Sequence, residues 1–161
     1  MAMKRGKLLR VYVDTSVFGG VFDAEFARAS QRFFDKIHRG VFHPVISALV
    51  ADEMADAPPR VQSFYRRVAR TAEMWPVDEP ALTLRDAYLE AGIVTEQWAA
   101  DALHVAVATV SACALIVSWN FRHIVNFRRI PLYNAVNRKA GYKEIGIFTP
   151  QEVIEDEDET L

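Results

Sequence analysis

Five short apolar runs alternate along the chain with longer segments in which apolar residues recur every three or four positions. The first run, LLRVYV, is apolar on both faces, as in a strand buried inside a parallel sheet. Strands that alternate with helices predict an α/β fold, a sandwich built around a mostly parallel sheet. The predicted strands cover residues 8–13, 41–46, 74–77, 115–119 and 147–149.

The helical spacing of apolar residues predicts five helices. The last of them is apolar all round, which is typical of the central, buried helix of a domain. A turn is expected directly after the first strand, where Asp-Thr-Ser follows. The predicted helices cover residues 24–39, a segment that starts at an N-cap Ser47 and ends before Pro58, and residues 61–72, 80–91 and 96–112.

Length and composition predict one domain over residues 1–154, because 161 residues that are 51% hydrophobic suffice for one sizeable core. The net charge is −2, and five consecutive acids at 155–159 leave the rest of the chain at +3. Residues 155–161 are therefore expected to form an acidic, disordered tail, or alternatively to cover a basic surface. The single Cys113 has no partner for an intramolecular disulfide and is expected to be buried.

The start of the chain does not have the pattern of a signal peptide, because Asp14 interrupts the apolar run that follows Lys4, Arg5 and Lys7. No segment reaches the ~20 apolar residues of a membrane span. We expect a soluble, cytoplasmic protein without a membrane partner.

Three carboxylates, Asp14, Glu53 and Asp101, interrupt the most apolar stretches. Burying a charge costs several kcal/mol unless a cation compensates it. Asp14 follows the first strand and Asn120 follows the strand at 115–119, so both are expected at the crevice that forms at the carboxyl ends of parallel strands.

Glu53 and Asp101 lie on the apolar faces of their predicted helices and should also point inward. Clustered acids raise one another's pKa unless a cation neutralises them, and no Lys or Arg is adjacent in sequence. Oxygen ligands favour Mg²⁺ or Mn²⁺, which indicates metal-assisted phosphodiester hydrolysis. A structural role fits the same residues: Asp14 would cap a turn, and the other acids would pair with distant arginines.

Five segments together resemble PIN-domain proteins, and more narrowly the VapC-like ribonuclease toxins of type II toxin–antitoxin systems. They follow the family's order across most of residues 9–154. The segments are VYVDTSV at 11–17, SALVADEM at 47–54, DAYLEAGIV at 86–94, AADALHVAVA at 99–108 and LIVSWNFRHIVN at 115–126.

The resemblance implies a three-layer α/β/α fold and a Mg²⁺- or Mn²⁺-dependent endoribonuclease that cleaves RNA, binds a small antitoxin protein and forms a homodimer. Asp14, Glu53 and Asp101 match the family's first three acids, and its fourth position, commonly Asp or Asn, falls on Asn120. Ser16 matches a hydroxyl position that often assists the attacking water.

The chain departs from the acid-rich form of the pattern at Asn120, which is neutral, and at His123, where related sequences often have Asp. A second metal would then be weakly held. This departure supports an alternative function, a catalytically weak PIN-like module that binds RNA or protein. A phosphatase-like or receiver-like domain is a remoter alternative, because its acidic pairs are absent from the sequence.

Two histidines and a set of basic residues are further candidates for a functional role. His104 is expected to be a hydrogen-bonded core residue, and His123 either a phosphate contact and proton carrier or a solvated loop residue. The basic residues form a nucleic-acid surface only if they rim the acidic crevice, with Tyr65, Phe127 and Tyr133 as stacking partners. They are Arg66, Arg67, Arg70, Arg122, Arg128, Arg129, Arg138 and Lys139.

Overall fold

A single parallel sheet of five strands organises the computed structural model, which describes residues 8–159. The strand order is β3-β2-β1-β4-β5, and every neighbouring pair is parallel. The predicted α/β class and parallel sheet are therefore confirmed. The strands are β1 (Leu9–Val13), β2 (Phe42–Ser47), β3 (Glu73–Trp75), β4 (Leu115–Val117) and β5 (Gly146–Phe148).

Helices cover both faces of this sheet and give the three-layer α/β/α sandwich. One layer contains α1, α2, α4 and α8, which pack on one another, and the other contains α5, α6 and α7. A single 3-10 turn precedes α6. The helices are α1 (Thr15–Gly20), α2 (Ala27–His38), α3 (Ala48–Met54), α4 (Pro59–Ala69), α5 (Glu79–Glu90), α6 (Ala99–Val110), α7 (Ile130–Lys139) and α8 (Pro150–Glu159).

Strand β1 is the centre of the sheet, with β2 on one side and β4 on the other. Val11, Tyr12 and Val13 are fully buried, as the apolar run predicted. The backbone N–H of Asp14 still bonds to the carbonyl of Val117 at 3.1 Å, so the ends of β1 and β4 lie side by side. This confirms the prediction that the residues following these two strands lie close to each other.

Helix α6 is the buried helix that the sequence predicted. Every residue from 102 to 109 is buried, and the helix packs against α5 and β4. Its only acidic residue, Asp101, lies in the first turn, where a carboxylate interacts favourably with the helix dipole.

Helix α1 begins where only a turn was expected. Asp14 is extended and is the N-cap, and its side chain accepts from the backbone N–H of Ser16. This cap starts a helix of six residues directly at the end of β1. Gly20 permits its close packing, because a Cβ there would lie 2.6–2.9 Å from side-chain atoms of Ser30 and Trp119.

Helix α8 takes in residues 155–159, which were predicted to belong to a disordered tail. Its start is a capping box, in which the Thr149 backbone N–H donates to Glu152 Oε1 at 2.8 Å and the Glu152 N–H donates to Thr149 Oγ1 at 3.2 Å. The strong start explains why the helix continues into acidic sequence. Residues 160–161 lie outside the described part of the chain.

Among residues 8–159, no helix is long and apolar enough to cross a membrane.

Candidate functional site

Asp14 lies at the crevice formed by the ends of β1 and β4 and is only 4% exposed. Its Oδ2 accepts from the Ser16 hydroxyl at 2.7 Å, the Ser118 hydroxyl at 2.8 Å and the Ser16 backbone N–H at 3.4 Å. Its Oδ1 lies 3.5 Å from His104 Nε2. One carboxylate oxygen is thus held by three donors, and the other faces the histidine.

Glu53 reaches the same place from α3, a helix that Ser47 caps through the Val50 N–H. Its Oε1 is hydrogen-bonded to the Thr15 hydroxyl and lies 2.9 Å from His104 Nε2. Burial opposes ionisation of Glu53, but the hydrogen bonds and charge of its neighbours outweigh it and hold the pKa of Glu53 below its ordinary value. Glu53 is therefore ionised at neutral pH.

Asp101 approaches from the first turn of α6. Its Oδ2 lies 2.8 Å from His123 Nδ1. Its charge contributes to raising the pKa of His104, which lies three residues further along the same helix. Glu53 shares His104 with Asp14, and Asp101 is connected to the loop after β4 through His123.

His104 is the buried centre of this cluster, with its side chain 2% exposed. Its Nδ1 is bonded to the Tyr12 hydroxyl at 2.8 Å and its Nε2 to Glu53. Burial lowers the pKa of His104, but the charge of Asp14, the hydrogen bond and charge of Glu53 and the charge of Asp101 together raise it above its ordinary value. The predicted hydrogen-bonded core histidine is confirmed, and its partner is a candidate catalytic acid.

Asn120 follows β4 at the rim of the crevice, with its backbone N–H bonded to Ser118 Oγ at 2.9 Å. Its side-chain Oδ1 accepts the backbone N–H of His123 at 2.9 Å, which closes a tight turn. The carbonyl oxygen that the sequence offers as a metal ligand thus already accepts one hydrogen bond.

His123 is only 5% exposed. The expectation that it is a solvated loop residue is therefore wrong. Its ring lies 4.6 Å from the Trp98 ring, and its carbonyl accepts from the Tyr133 hydroxyl at 2.8 Å. Arg122 lies over Trp98 at 5.3 Å from the ring centroid. These contacts hold the imidazole against Asp101.

The donor chemistry of the site fits a hard divalent ion. Each acid has one oxygen held by the hydrogen bonds described above, and the second oxygens are Asp14 Oδ1, Glu53 Oε2 and Asp101 Oδ1. Within the described residues, no group of three His, Cys, Asp or Glu side chains is arranged to hold a metal ion as it stands.

Several residues of the site were not predicted, namely the donors Thr15 and Ser118 and the hydroxyl of Tyr12. Tyr12 carried a signal, because it lies two positions before Asp14 and so faces the same side of β1. Ser16, which the sequence offered as an aid to the attacking water, donates to Asp14 and accepts the Trp119 N–H at 2.9 Å.

The loop after β4 also bears the most exposed aromatic side chains near the site. Phe127 is 79% exposed and Phe121 is 51% exposed, with Arg128 over the Phe127 ring at 5.6 Å. Tyr65 and Tyr133 are buried, so neither is accessible for the predicted stacking. An open groove of about 990 Å³ lies beside this loop. We call it the aromatic groove, and its walls include Phe26, Trp119, Phe121, Phe127 and β5.

The basic residues fall into separate groups. Arg66 and Arg67 lie on α4 and Arg70 is its C-cap, whereas Arg122 and Arg128 belong to the loop that carries Asn120 and His123. Arg129 Nε donates to the Ile93 carbonyl, and Arg138 is paired with Glu144. The loop arginines are therefore the predicted basic residues closest in sequence to the candidate site.

Comparison with solved structures identifies the fold. The chain is similar to VapBC2 from Rickettsia felis bound to promoter DNA, with a TM-score of 0.60, 13% identity and coverage of 88% of this chain and 98% of that one. It is similar to FitAcB from Neisseria gonorrhoeae, with a TM-score of 0.56, 14% identity and coverage of 87% and 97%.

It is also similar to VapC20 from Mycobacterium tuberculosis, a sarcin-ricin loop cleaving toxin, with a TM-score of 0.50, 13% identity and coverage of 84% and 98%. No protein-family model matches the sequence, and no curated protein matches it. At such identities the likeness concerns the fold, and it confirms the PIN-like α/β/α architecture.

Proposed function

We propose that this PIN-fold protein is a Mg²⁺- or Mn²⁺-dependent endoribonuclease and the toxin of a toxin–antitoxin pair. The observation that carries the proposal is the convergence of Asp14 and Glu53 on the buried His104, whose Nε2 lies 3.5 Å from Asp14 Oδ1 and 2.9 Å from Glu53 Oε1, with Asp101 on the same helix as this histidine. In each acid the protein holds one oxygen, which orients the carboxyl group. The likeness in fold to a toxin that cleaves the sarcin-ricin loop supports RNA as the substrate.

The three acids, with Asn120 at the rim, are the residues that would hold the ion. When bound, Mg²⁺ or Mn²⁺ would supply positive charge for the phosphate and would acidify a water molecule. The chain itself supplies the orientation: Ser16 and Ser118 hold Asp14, Thr15 and His104 hold Glu53, and His123 holds Asp101. Such partners of the ligands fix their geometry before substrate binds.

The loop after β4 is the proposed contact for the RNA strand. Phe121 and Phe127 offer exposed ring faces, and nucleobases of single-stranded RNA stack on such rings. Arg122 and Arg128 add positive charge in the same loop. The loop also carries Asn120 and His123, so RNA bound there continues into the acidic crevice.

The proposed partner is a small antitoxin protein that inhibits the site. Support comes from VapBC2 and FitAB, toxin–antitoxin complexes whose structures were solved with DNA. A homodimer and a cytoplasmic location, where RNA is available, complete the proposal.

Substitution of the acids tests the nuclease. Asp14→Asn and Asp101→Asn each remove one charged ligand and should abolish Mn²⁺-dependent cleavage of a labelled RNA, measured on denaturing gels. Asp86→Asn is the matched control, because Asp86 lies on α5 with its side chain 65% exposed and its partner is the adjacent Arg85. Full activity of Asp14→Asn, or equal loss in the control, would refute the assignment.

A binding module without catalysis is the second candidate function. It is favoured by Asn120, whose side-chain oxygen is engaged by the His123 backbone, and by the neutral charge of this fourth position. Calorimetric titration with Mn²⁺ distinguishes the two functions. A wild-type protein that binds RNA but no Mn²⁺ or Mg²⁺ would support the module and exclude the nuclease.

A further inference from the structure

A continuous chain of buried hydrogen bonds runs from the start of α3 to the carboxylate that α3 carries. The Val50 N–H donates to Ser47 Oγ at 3.3 Å, and Ser47 Oγ lies 2.7 Å from the Tyr12 hydroxyl. The Tyr12 hydroxyl lies 2.8 Å from His104 Nδ1, and His104 Nε2 lies 2.9 Å from Glu53 Oε1. Ser47 and Tyr12 are fully buried.

The buried groups of this chain all find hydrogen-bond partners when every proton is donated in one direction, from Ser47 towards Glu53. Ser47 Oγ already accepts from Val50, so its own proton is satisfied by donation to the Tyr12 oxygen. The Tyr12 proton then goes to His104 Nδ1, which leaves the imidazole proton on Nε2. That N–H points at Glu53 Oε1. In this arrangement every buried hydroxyl and ring nitrogen has a partner.

The result at Glu53 is a distinction between its two oxygens. Oε1 accepts from His104 and from the Thr15 hydroxyl, so it is occupied from two sides. Oε2 has no such bond among the described residues and is the oxygen that remains for a ligand. Tyr12 and Asp14 belong to the same face of β1, so the strand that places the first acid also begins the chain that orients the second.

We propose that Tyr12 and His104 are positioning residues: they hold Glu53 Oε1 and so present Oε2 to the metal ion. The inference rests on the proposed function and deepens it, because it explains how a glutamate that is 33% exposed on a short helix is held in one orientation. The competing explanation is simple core packing, in which the shape of the imidazole matters and its Nε2 proton does not.

Two substitutions at His104 separate these explanations. Gln places an amide N–H near the position of Nε2 and can still donate to Glu53, whereas Asn places its amide near Nδ1 and cannot reach it. Positioning predicts that His104→Asn raises the dissociation constant for Mn²⁺ about tenfold, with His104→Gln closer to wild type. Calorimetric titration of each variant with Mn²⁺ measures this order.

His43→Asn is the matched control, because His43 lies at the start of β2, whereas Ser47 ends this strand, and it faces Glu73 at 3.4 Å rather than a residue of the site. It should leave the affinity for Mn²⁺ unchanged. Urea unfolding of every variant measures stability separately from affinity. Equal Mn²⁺ affinity of His104→Asn and His104→Gln, or an affinity that follows stability alone, would overturn the positioning role.

A spectroscopic measurement tests the direction of the chain without relying on activity. At mildly alkaline pH, ¹⁵N NMR of the imidazole should show His104 protonated at Nε2 and not at Nδ1. Tyr12→Phe should reduce that preference, because it removes the donor to Nδ1. Protonation at Nδ1 in the wild type would overturn the inference.

Failure of this inference is distinguishable from failure of the proposed function. If the wild type binds Mn²⁺ and both His104 variants bind it equally well, the positioning role is wrong and the nuclease stands. If the wild type binds neither Mn²⁺ nor Mg²⁺, the proposed function fails and the metal-directed role of the pair fails with it.

Discussion

Removal of the Ser118 hydroxyl should destabilise the protein more than removal of the hydroxyl of a surface serine. Ser118 is fully buried, and its Oγ donates to Asp14 Oδ2 at 2.8 Å while accepting the Asn120 N–H at 2.9 Å. Ser118→Ala therefore takes a donor from a buried carboxylate and leaves a backbone N–H without its acceptor. A hydrogen bond to a charged group contributes about 1.5–3 kcal/mol, and an unsatisfied buried donor costs a similar amount.

We expect a loss of about 2–3 kcal/mol in the free energy of unfolding, because Ser16 continues to hold Asp14. For a chain of this length the loss corresponds to a decrease of roughly 4–12 °C in Tm. Urea unfolding followed by circular dichroism measures the first quantity, and calorimetry the second. Ser63→Ala on the exposed face of α4 is the matched control and should change stability by less than about 0.5 kcal/mol.

A double-mutant cycle identifies the partner. In an Asp14→Asn background the Ser118 hydroxyl no longer meets a charge, so Ser118→Ala should cost at least about 1 kcal/mol less than in the wild type. Additive losses would show that Ser118 does not act through Asp14. A loss no larger than that of Ser63→Ala would refute the assignment of this bond as a stabilising contact.

Two further predictions concern an ion pair and the RNA surface. Arg10 holds the pKa of Glu73 at about 2, below its ordinary 4.5, so the pair stabilises the fold above pH 4.5 and this contribution is lost as pH falls towards 2. Glu73→Gln should lower the free energy of unfolding at neutral pH by on the order of 1 kcal/mol, since the pair is about one-third exposed. It should also reduce the dependence of the free energy of unfolding on pH between 4.5 and 2, measured by urea unfolding. An unchanged pH profile would show that the pair does not stabilise the fold. Phe127→Ala should weaken binding of labelled single-stranded RNA in EDTA several-fold by fluorescence anisotropy. Met74→Ala, which changes an exposed apolar residue on β3, is the control and should leave the affinity for RNA unchanged. Equal effects of the two substitutions would show that the loop does not bind RNA.

The apolar patterns predicted the central elements of the fold correctly. Residues 11–13 of β1 and 102–109 of α6 are buried, so their sequences show nearly continuous apolar residues. Helix α7 was not predicted, because its buried face includes Asn134 and Asn137. Asn134 bonds to the backbone of Ile145 next to β5, and Asn137 bonds to Tyr88, so tertiary partners stabilise a helix whose pattern is polar.

The acids of the candidate site could be predicted because a carboxylate is conspicuous in apolar sequence. Their hydrogen-bond donors could not, since serine and threonine are common and acquire a role only through distant contacts. Ser118 is separated from Asp14 by 104 residues, and the Thr15 bond to Glu53 depends on the unpredicted helix α1. Glu53 is hydrogen-bonded to His104 and Asp101 to His123, rather than to distant arginines, and of these two histidines His104 was assigned to the core alone.

The Ser16 hydroxyl connects the ends of β1 and β4, in addition to the Asp14 N–H bond to Val117 and the Ser118 bond to Asp14. It donates to Asp14 at the end of β1 and accepts from Trp119 at the end of β4, and the Trp119 ring stacks on Phe26 at 4.3 Å in the aromatic groove. A ligand that displaces the Trp119 backbone would stretch or break the bond to Ser16, which also orients Asp14. Binding of such a ligand in the groove and the orientation of the acid would then be thermodynamically linked, equally in both directions.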